Sequence, residues 1–452
     1  MRSLVLVGAF SPLVAQAQDV PLTTLRYDED WSKLSDNQRT GWRQAKHLEL
    51  DRQSDLHLTL GGEMRARFES FDNRQWGEPP VPDDSYLWLR VMPHADLRAG
   101  PARVFVQGIA GYARGVSGGK GPVDETGMDL LQGFADVRLR LGDRGSLMLR
   151  GGRALVALGS ERLVGTRYGT NIPQPFDGVR ATAGHGAVRI DVVRLRPVAI
   201  GGSDFDDKRS RTRRLDGVYA TITPGQGMGV DAYWLGYENL EARFSGRTDR
   251  EKRDTLGVRF FGTQGQLGWN WEAMLQRGRF GADNIRSWSL ATETSWRFKD
   301  GPMSPNLRLR ANIASGDRAP GDGRLGTFNP LFPKAKYFGD LSPIGPRNIM
   351  NIHPSIQFNP GSSVTVELSA ARFWRESRAD GVYDIPGELL RPANDSRARH
   401  IGDQVEISAS WQISDVFSLS GSLSAFRPGA FIRETGRART IRMAGAEAMA
   451  KF

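Results

Sequence analysis

The chain has 452 residues, 39% of them hydrophobic, with no Cys, a mean hydropathy of −0.43 and a net charge of +10 from 61 Lys and Arg against 51 Asp and Glu. Lacking thiols and any run of ~18 apolar residues, it is excluded from disulfide scaffolds, Cys-ligated metal sites, thiol catalysis and helical membrane proteins. A transmembrane β-barrel stays open, because strands that alternate polar with apolar residues average to a water-soluble hydropathy.

In chain order, Arg2 precedes an apolar stretch from Leu4 to Val14, and Ala15-Gln16-Ala17 supplies the small-x-small pattern of a signal-peptidase site. Residues 1–17 are therefore expected to be an export signal, and export without Cys points to a bacterial envelope protein. Residues 18–55, with Trp31 and Trp42, lack strand alternation and read as a periplasmic lead-in segment, open to helical turns.

From residue 56 onward the pattern has period two. Leu56, Leu58, Leu60, Met64, Ala66 and Phe68 alternate with Glu63, Arg65, Arg67 and Glu69, and Val405, Ile407, Ala409 and Trp411 alternate with Gln404, Glu406, Ser408 and Ser410. Eighteen strands are predicted, at 56–70, 85–98, 102–113, 129–141, 146–158, 177–184, 186–198, 214–223, 227–237, 252–262, 265–279, 285–298, 305–314, 347–358, 362–376, 399–413, 416–427 and 440–452. Most reach the ~9–11 residues that cross a bilayer at a barrel's tilt.

The connections are expected to alternate strictly between short and long: Ala99–Pro101, Gly142–Gly145 and Ser414-Asp415 against 71–84, 114–128, 159–176, 199–213, 315–346 and 377–398. That asymmetry predicts an all-β fold over 56–452. It is a transmembrane antiparallel barrel of the bacterial outer membrane, with short periplasmic turns and long extracellular loops. Phe452 closes a last strand carrying Ala444, Ala446, Ala448 and Ala450, and Trp288, Trp296 and Phe298 suit an interfacial girdle.

An Arg facing lipid at the bilayer midplane costs about 2–4 kcal/mol, so arginines within strands are expected to face the lumen. Parity turns Arg65, Arg67, Arg90, Arg103, Arg138, Arg140, Arg150, Arg180, Arg259, Arg297, Arg308, Arg310 and Arg375 inward, together with Glu63, Glu69, Asp136, Glu272, Glu293, Glu367 and Glu406. Cross-strand ion pairs should take up at least half of these charges. The surplus of guanidinium would attract anions and offer carboxylates bidentate contacts.

Leu149-Arg150-Gly151-Gly152-Arg153 with Thr170-Asn171, Phe373-Trp374-Arg375, Ile401-Gly402-Asp403-Gln404-Val405-Glu406-Ile407 and Phe426-Arg427-Pro428-Gly429 run through most of the chain. So do Phe328-Asn329-Pro330-Leu331-Phe332-Pro333 and Lys336-Tyr337-Phe338-Gly339-Asp340. In these motifs the chain resembles the alginate-export family of outer-membrane proteins. The resemblance implies an eighteen-strand barrel with an Arg-rich, anion-selective pore. It adds Arg153 to the pore candidates through the Gly-Arg pair, with a bulge at Gly151-Gly152 that would decide its direction, and it supports Arg375. Two departures leave the cargo open. Ser418, Ser420, Ser422 and Ser424 stand where an inward arginine is implied, and only Ser414-Asp415 replaces a long periplasmic loop.

Other constellations are weaker. The six His, at 47, 57, 94, 185, 353 and 400, have no metal-ligand spacing. Gly115–Gly121 with Lys120 lacks the Ser/Thr and helix of a phosphate loop, while Asp317 and Asp322 are candidate calcium ligands. Lys208–Arg214 is basic enough to meet the phosphates of lipopolysaccharide.

The leading expectation is thus a channel without cofactor, metal or catalytic residues. It passes polyuronate-like polysaccharide or oligosaccharide, with Arg65, Arg67, Arg90, Arg103, Arg138, Arg150, Arg153, Arg180, Arg259, Arg308, Arg310 and Arg375 lining the lumen. Its expected partners are the anionic saccharide or small anion, outer-membrane lipid, lipopolysaccharide and periplasmic secretion proteins, with no nucleic acid. The alternatives are a general or small-anion porin, a lipase-like barrel enzyme using a His near the outer wall (His57 or His353), and a plugged adhesin.

Overall fold

A computed structural model describes residues 20–34, 38–80, 83–225, 227–244, 246–298 and 303–452. The expected export signal lies outside the described residues. Eighteen antiparallel strands form the wall. β1 (Leu56–Gly61 and Glu63–Asp72) and β2 (Asp84–Val91 and His94–Ala99) are each interrupted once. They are followed by β3 (Ala102–Arg114), β4 (Gly127–Leu141), β5 (Gly145–Leu155), β6 (Pro175–His185), β7 (Val188–Ala199), β8 (Arg213–Gly225) and β9 (Met228–Phe244). The second half comprises β10 (Arg247–Gln264), β11 (Leu267–Phe280), β12 (Asp283–Arg297), β13 (Asn306–Ala314), β14 (Ile349–Phe358), β15 (Val364–Trp374), β16 (His400–Gln412), β17 (Phe417–Pro428) and β18 (Ile441–Lys451).

β18 pairs back onto β1, from Arg442 opposite Asp72 to Lys451 opposite Glu63, and this closes the barrel. Phe452 finishes the seam by exchanging backbone hydrogen bonds of 2.9 and 3.1 Å with Gly62. A Cβ at Gly61 would stand 2.3 Å from Lys46 Nζ and 2.7 Å from the Phe452 carbonyl, so the break in β1 needs glycine for space. Closure leaves no open sheet edge, the condition for strands to cross hydrocarbon.

The side-chain alternation is as the period predicted. Outward positions such as Phe68, Val104, Leu149, Val192, Leu256, Leu275, Leu309, Ile352, Val405 and Leu423 expose apolar side chains, while their neighbours point polar groups inward. Trp296 and Phe298 are exposed near the short-turn end of β12.

The strict alternation of connection lengths does not hold. β9 ends at Phe244 and β10 begins at Arg247, while β11 ends at Phe280 and β12 begins at Asp283, so two connections on the long-loop side are tight hairpins. Here the strands run on past the apolar belt with charge on both faces, so the segment read as loop 238–251 is ladder from Asn239↔Glu251 to Phe244↔Arg247.

Residues 20–51 do not form a separate body. They contain short 3-10 turns at Arg26–Asp28, Trp31–Lys33 and Gly41–Ala45, and Leu48–Asp51 pairs antiparallel with β1. Tyr27 lies among inward side chains of β3 and β4, its ring edge-on to Phe105 and Phe134, and its hydroxyl donates to the Leu155 carbonyl at 2.7 Å. The lead-in therefore enters the lumen.

Candidate functional site: the lumen

Two extracellular loops pack into the upper lumen. The loop between β5 and β6 meets the one between β13 and β14 in a short bridge, Val164 with Phe332. Phe332 donates its N–H to the Leu163 carbonyl at 2.8 Å, and Lys334 donates its own to that of Glu161 at 2.9 Å. Phe328, Leu331, Phe332, Phe338, Leu341 and Ile344 pack with Leu158, Leu163 and Val164 against inward Leu195, Tyr219, Tyr237, Phe373 and Phe426. Full burial of such a side chain is worth about 1.5–3 kcal/mol, so these loops form a folded core inside the barrel.

The inward arginines are chiefly occupied in holding this core and the wall. Arg90, 1% exposed, donates to Glu63 at 2.6 Å and to the carbonyls of Thr170 and Asn171 at 3.0 and 3.1 Å. Arg65 donates to the Tyr168 and Thr170 carbonyls. Arg67 reaches Glu69, Glu447 and Asp340 at 2.6, 3.0 and 3.2 Å. Arg103 grips Asp96 and the Tyr27 carbonyl, and Arg150 pairs with Asp136 while lying over the rings of Tyr27 and Phe134. Arg180 pairs with Asp191, Arg259 with Asp231, and Arg308 with Glu293 and Glu367 at 3.8 and 3.7 Å. Arg138 is exposed at the short-turn rim.

Two expected pore residues are elsewhere. The β4–β5 register runs without a bulge through Gly133↔Arg153, so Arg153 has the parity of lipid-facing Leu149 rather than of Arg150. It turns away from the lumen and pairs with Asp177 at 2.8 Å. Arg375 lies beyond the end of β15 and anchors the loop that follows. Its guanidinium, 0% exposed, donates to the carbonyls of Arg378, Asp380, Ser396 and Ala398 and lies 3.8 Å from the Phe431 ring centroid. Arg375→Ala strands these buried acceptors, each costing about 1–3 kcal/mol. The 375–399 loop of that variant should become sensitive to limited proteolysis while ion selectivity stays as in the wild type.

Beside the loop core, a cavity of about 250 Å³ follows the inner face of β15–β18, lined by Thr365, Glu367, Ser408, Ser410, Ser420 and Ser422, with Arg67, Asp340 and Glu447 at its edge. The small side chains of the Ser-x-Ser repeat leave this space. Its carboxylates have cations of their own: Arg67 for Glu447, Arg67 and Lys336 for Asp340, Arg308 for Glu367. On the β13 side, Arg310 has His353 Nε2 at 3.3 Å and a buried Nε without a partner. Among the described residues, neither Arg310 nor Lys334 has a carboxylate within 4.0 Å.

Burial, with Arg310 and then Arg162 nearby, pushes the Lys334 ammonium down to about 8. The sign follows directly: Lys334 is charged below that value and neutral above it. Lys334, Lys336 and Arg162 escaped the parity argument because loops carry them.

His353, expected near the outer wall, is 2% exposed and faces inward opposite Arg310, and His57 packs against His47. Asp317 and Asp322 each accept a backbone N–H and share no ligand group. One carboxylate trio among the described residues, Asp129, Asp206 and Asp207, brings ligand atoms within 4.8 Å of one another, but Asp129 and Asp207 already accept backbone N–H groups there.

The model of the family described as alginate export matches residues 56–445. No curated protein matches the chain in sequence. In structure, the chain is similar to a BenF-like porin of Pseudomonas fluorescens Pf-5, with a TM-score of 0.60 at 9% identity, covering 87% of this chain and 98% of that one. It is also similar to OccAB1 of Acinetobacter baumannii, with a TM-score of 0.58 at 12% identity over 90% and 99% of the two chains. OccK2 (OpdF) of Pseudomonas aeruginosa in complex with glucuronate gives a TM-score of 0.58 at 11% identity over 87% and 96%. The matched span, the closed eighteen-strand wall and its porin-like neighbours together place this chain in the alginate-export family, as a β-barrel channel of the bacterial outer membrane.

Proposed function

We propose that the channel passes anionic solutes of the uronate class, as single saccharide acids or an extended oligosaccharide, along the serine wall of β15–β18. The observation that carries this reading is the pair Arg310 and Lys334, neighbouring cations that among the described residues have no carboxylate within 4.0 Å, in a lumen that also holds the hydroxyl-lined cavity. Guanidinium offers a carboxylate two parallel donors, ammonium adds a point charge, and serine hydroxyls exchange hydrogen bonds with sugar hydroxyls at little steric cost. The alginate-export family match and the porin-like neighbours support a channel rather than an enzyme, with lipopolysaccharide and periplasmic secretion proteins as candidate partners.

A small-anion porin is the second reading, favoured by the cavity of about 250 Å³, which lies just under the ~300–1,000 Å³ of ordinary ligand pockets. Liposome swelling distinguishes the two. Uptake of both glucuronate and its oligomers supports the saccharide reading; uptake of glucuronate alone supports the porin, and exclusion of glucuronate in favour of neutral hexose contradicts both. Arg310→Ala with Lys334→Met should weaken anion preference at neutral pH. With Lys334 at about 8, wild-type anion preference should fall between about pH 7 and pH 9 as the ammonium deprotonates, and Lys334→Met should abolish that dependence.

A further inference from the structure

Across β7–β10, just above the apolar belt on the long-loop side, the outward face carries a row of matched charges. Arg194 faces Asp216 at 3.7 Å, Arg214 pairs with Asp216 at 2.9 Å and reaches Glu238 at 3.6 Å, and Arg250 also pairs with Glu238. The row continues across β10–β12 without its acids. Lys252 stands opposite Arg279, and Arg277 is directly opposite Arg286, all four exposed. Among the described residues none of the four has a carboxylate within 4.0 Å. Two acids flank these four and both are engaged: Glu238, opposite Lys252, pairs with Arg250 and Arg214, and Asp254, opposite Arg277, accepts the Trp234 indole N–H at 3.0 Å.

Like charges directly opposite each other in a sheet destabilise it. Arg277 and Arg286 are one outward step beyond Leu275 and Trp288, and Lys252 and Arg279 two steps beyond Leu256 and Leu275, at the level where hydrocarbon gives way to headgroups. The missing anion must therefore come from the membrane. We propose that Lys252, Arg277, Arg279 and Arg286 form a docking site for the phosphorylated saccharide headgroup of an outer-leaflet glycolipid. Cross-strand neighbours ~5 Å apart and same-strand neighbours ~7 Å apart let two or three guanidinium groups share one phosphate and leave a second phosphate to the rest, a spacing suited to a diphosphorylated disaccharide rather than a single-phosphate diacyl lipid. Arg supplies bidentate phosphate contacts.

The test uses the full-length protein in detergent micelles, titrated with diphosphoryl lipid A, its phosphate-free form and phosphatidylglycerol, with bound lipid counted by native mass spectrometry. Diphosphoryl lipid A should bind at least tenfold more tightly than either comparator. Arg277→Gln/Arg279→Gln/Arg286→Gln should remove that preference, while Arg214→Gln in the matched row should keep it. Should the triple variant fold poorly, Arg286→Glu supplies Arg277 with an internal partner and should lose lipid binding without a lower melting temperature. Equal binding of the phosphate-free form, or retained preference in these variants, overturns the site; equal binding of phosphatidylglycerol overturns the glycolipid assignment.

Discussion

Replacing Arg90 by Ala should lower the stability of the barrel by about 3–5 kcal/mol, the cost of breaking a fully buried ion pair by removing one partner. Glu63, 2% exposed, would remain charged in the wall, and the Thr170 and Asn171 carbonyls would lose their donor. Tyr168, whose hydroxyl also donates to Glu63, would lose the guanidinium 4.6 Å from its ring centroid, so the β5–β6 loop should loosen in the lumen. Urea unfolding in lipid vesicles, followed by tryptophan fluorescence, measures the loss. A double replacement, Glu63→Gln with Arg90→Met, removes the buried carboxylate together with its guanidinium, leaves only Lys451 without the acid 3.7 Å away, and should cost less than Arg90→Ala alone. A loss no larger than that of Arg194→Ala, in an exposed pair, would show that Arg90 holds nothing.

Excision of residues 328–341 with a short Gly-Ser bridge should give the largest functional change, a severalfold rise in single-channel conductance with the strand wall intact. That segment holds Phe328, Leu331, Phe332, Phe338 and Leu341, the apolar filling of the upper lumen, and none of the eighteen strands runs through it. The milder Phe332→Ala removes the ring packed edge-on to Phe176 and Tyr237. Core truncations of this kind cost about 3–5 kcal/mol, and here the cost should be read as loop mobility and conductance noise. Unchanged conductance after excision would place the passage elsewhere.

Strand number, order and inward face were legible because one lipid-facing side chain in every two is a strong constraint on sequence. The hairpin at Phe244–Arg247 was hidden, since above the belt water wets the outer face and alternation is no longer required, whereas strands read at 265–279 and 285–298 already left only a short connection at Phe280–Asp283. Parity gave the direction of Arg90 and Arg67 but not their partners: Glu63 is 27 residues from Arg90, Asp340 is 273 from Arg67, and the latter enters the lumen only by loop folding. The same cause misled the reading of Arg375, inward by parity yet committed to loop carbonyls, and concealed Lys334. At Arg153 the direction hung on whether Gly151-Gly152 bulges, and the intact register turned the side chain outward. The serine repeat was visible as a departure from the family, but its meaning as open space depended on where the loops pack.

The central claim, passage of anions past Arg310 and Lys334, is tested most directly by the zero-current potential of the purified protein in a planar bilayer, at neutral pH under an approximately tenfold salt gradient. The account predicts a potential of the sign set by anion permeation, reduced by Arg310→Ala with Lys334→Met. A potential of cation sign in the wild type, or one unmoved by that pair of substitutions, would contradict it.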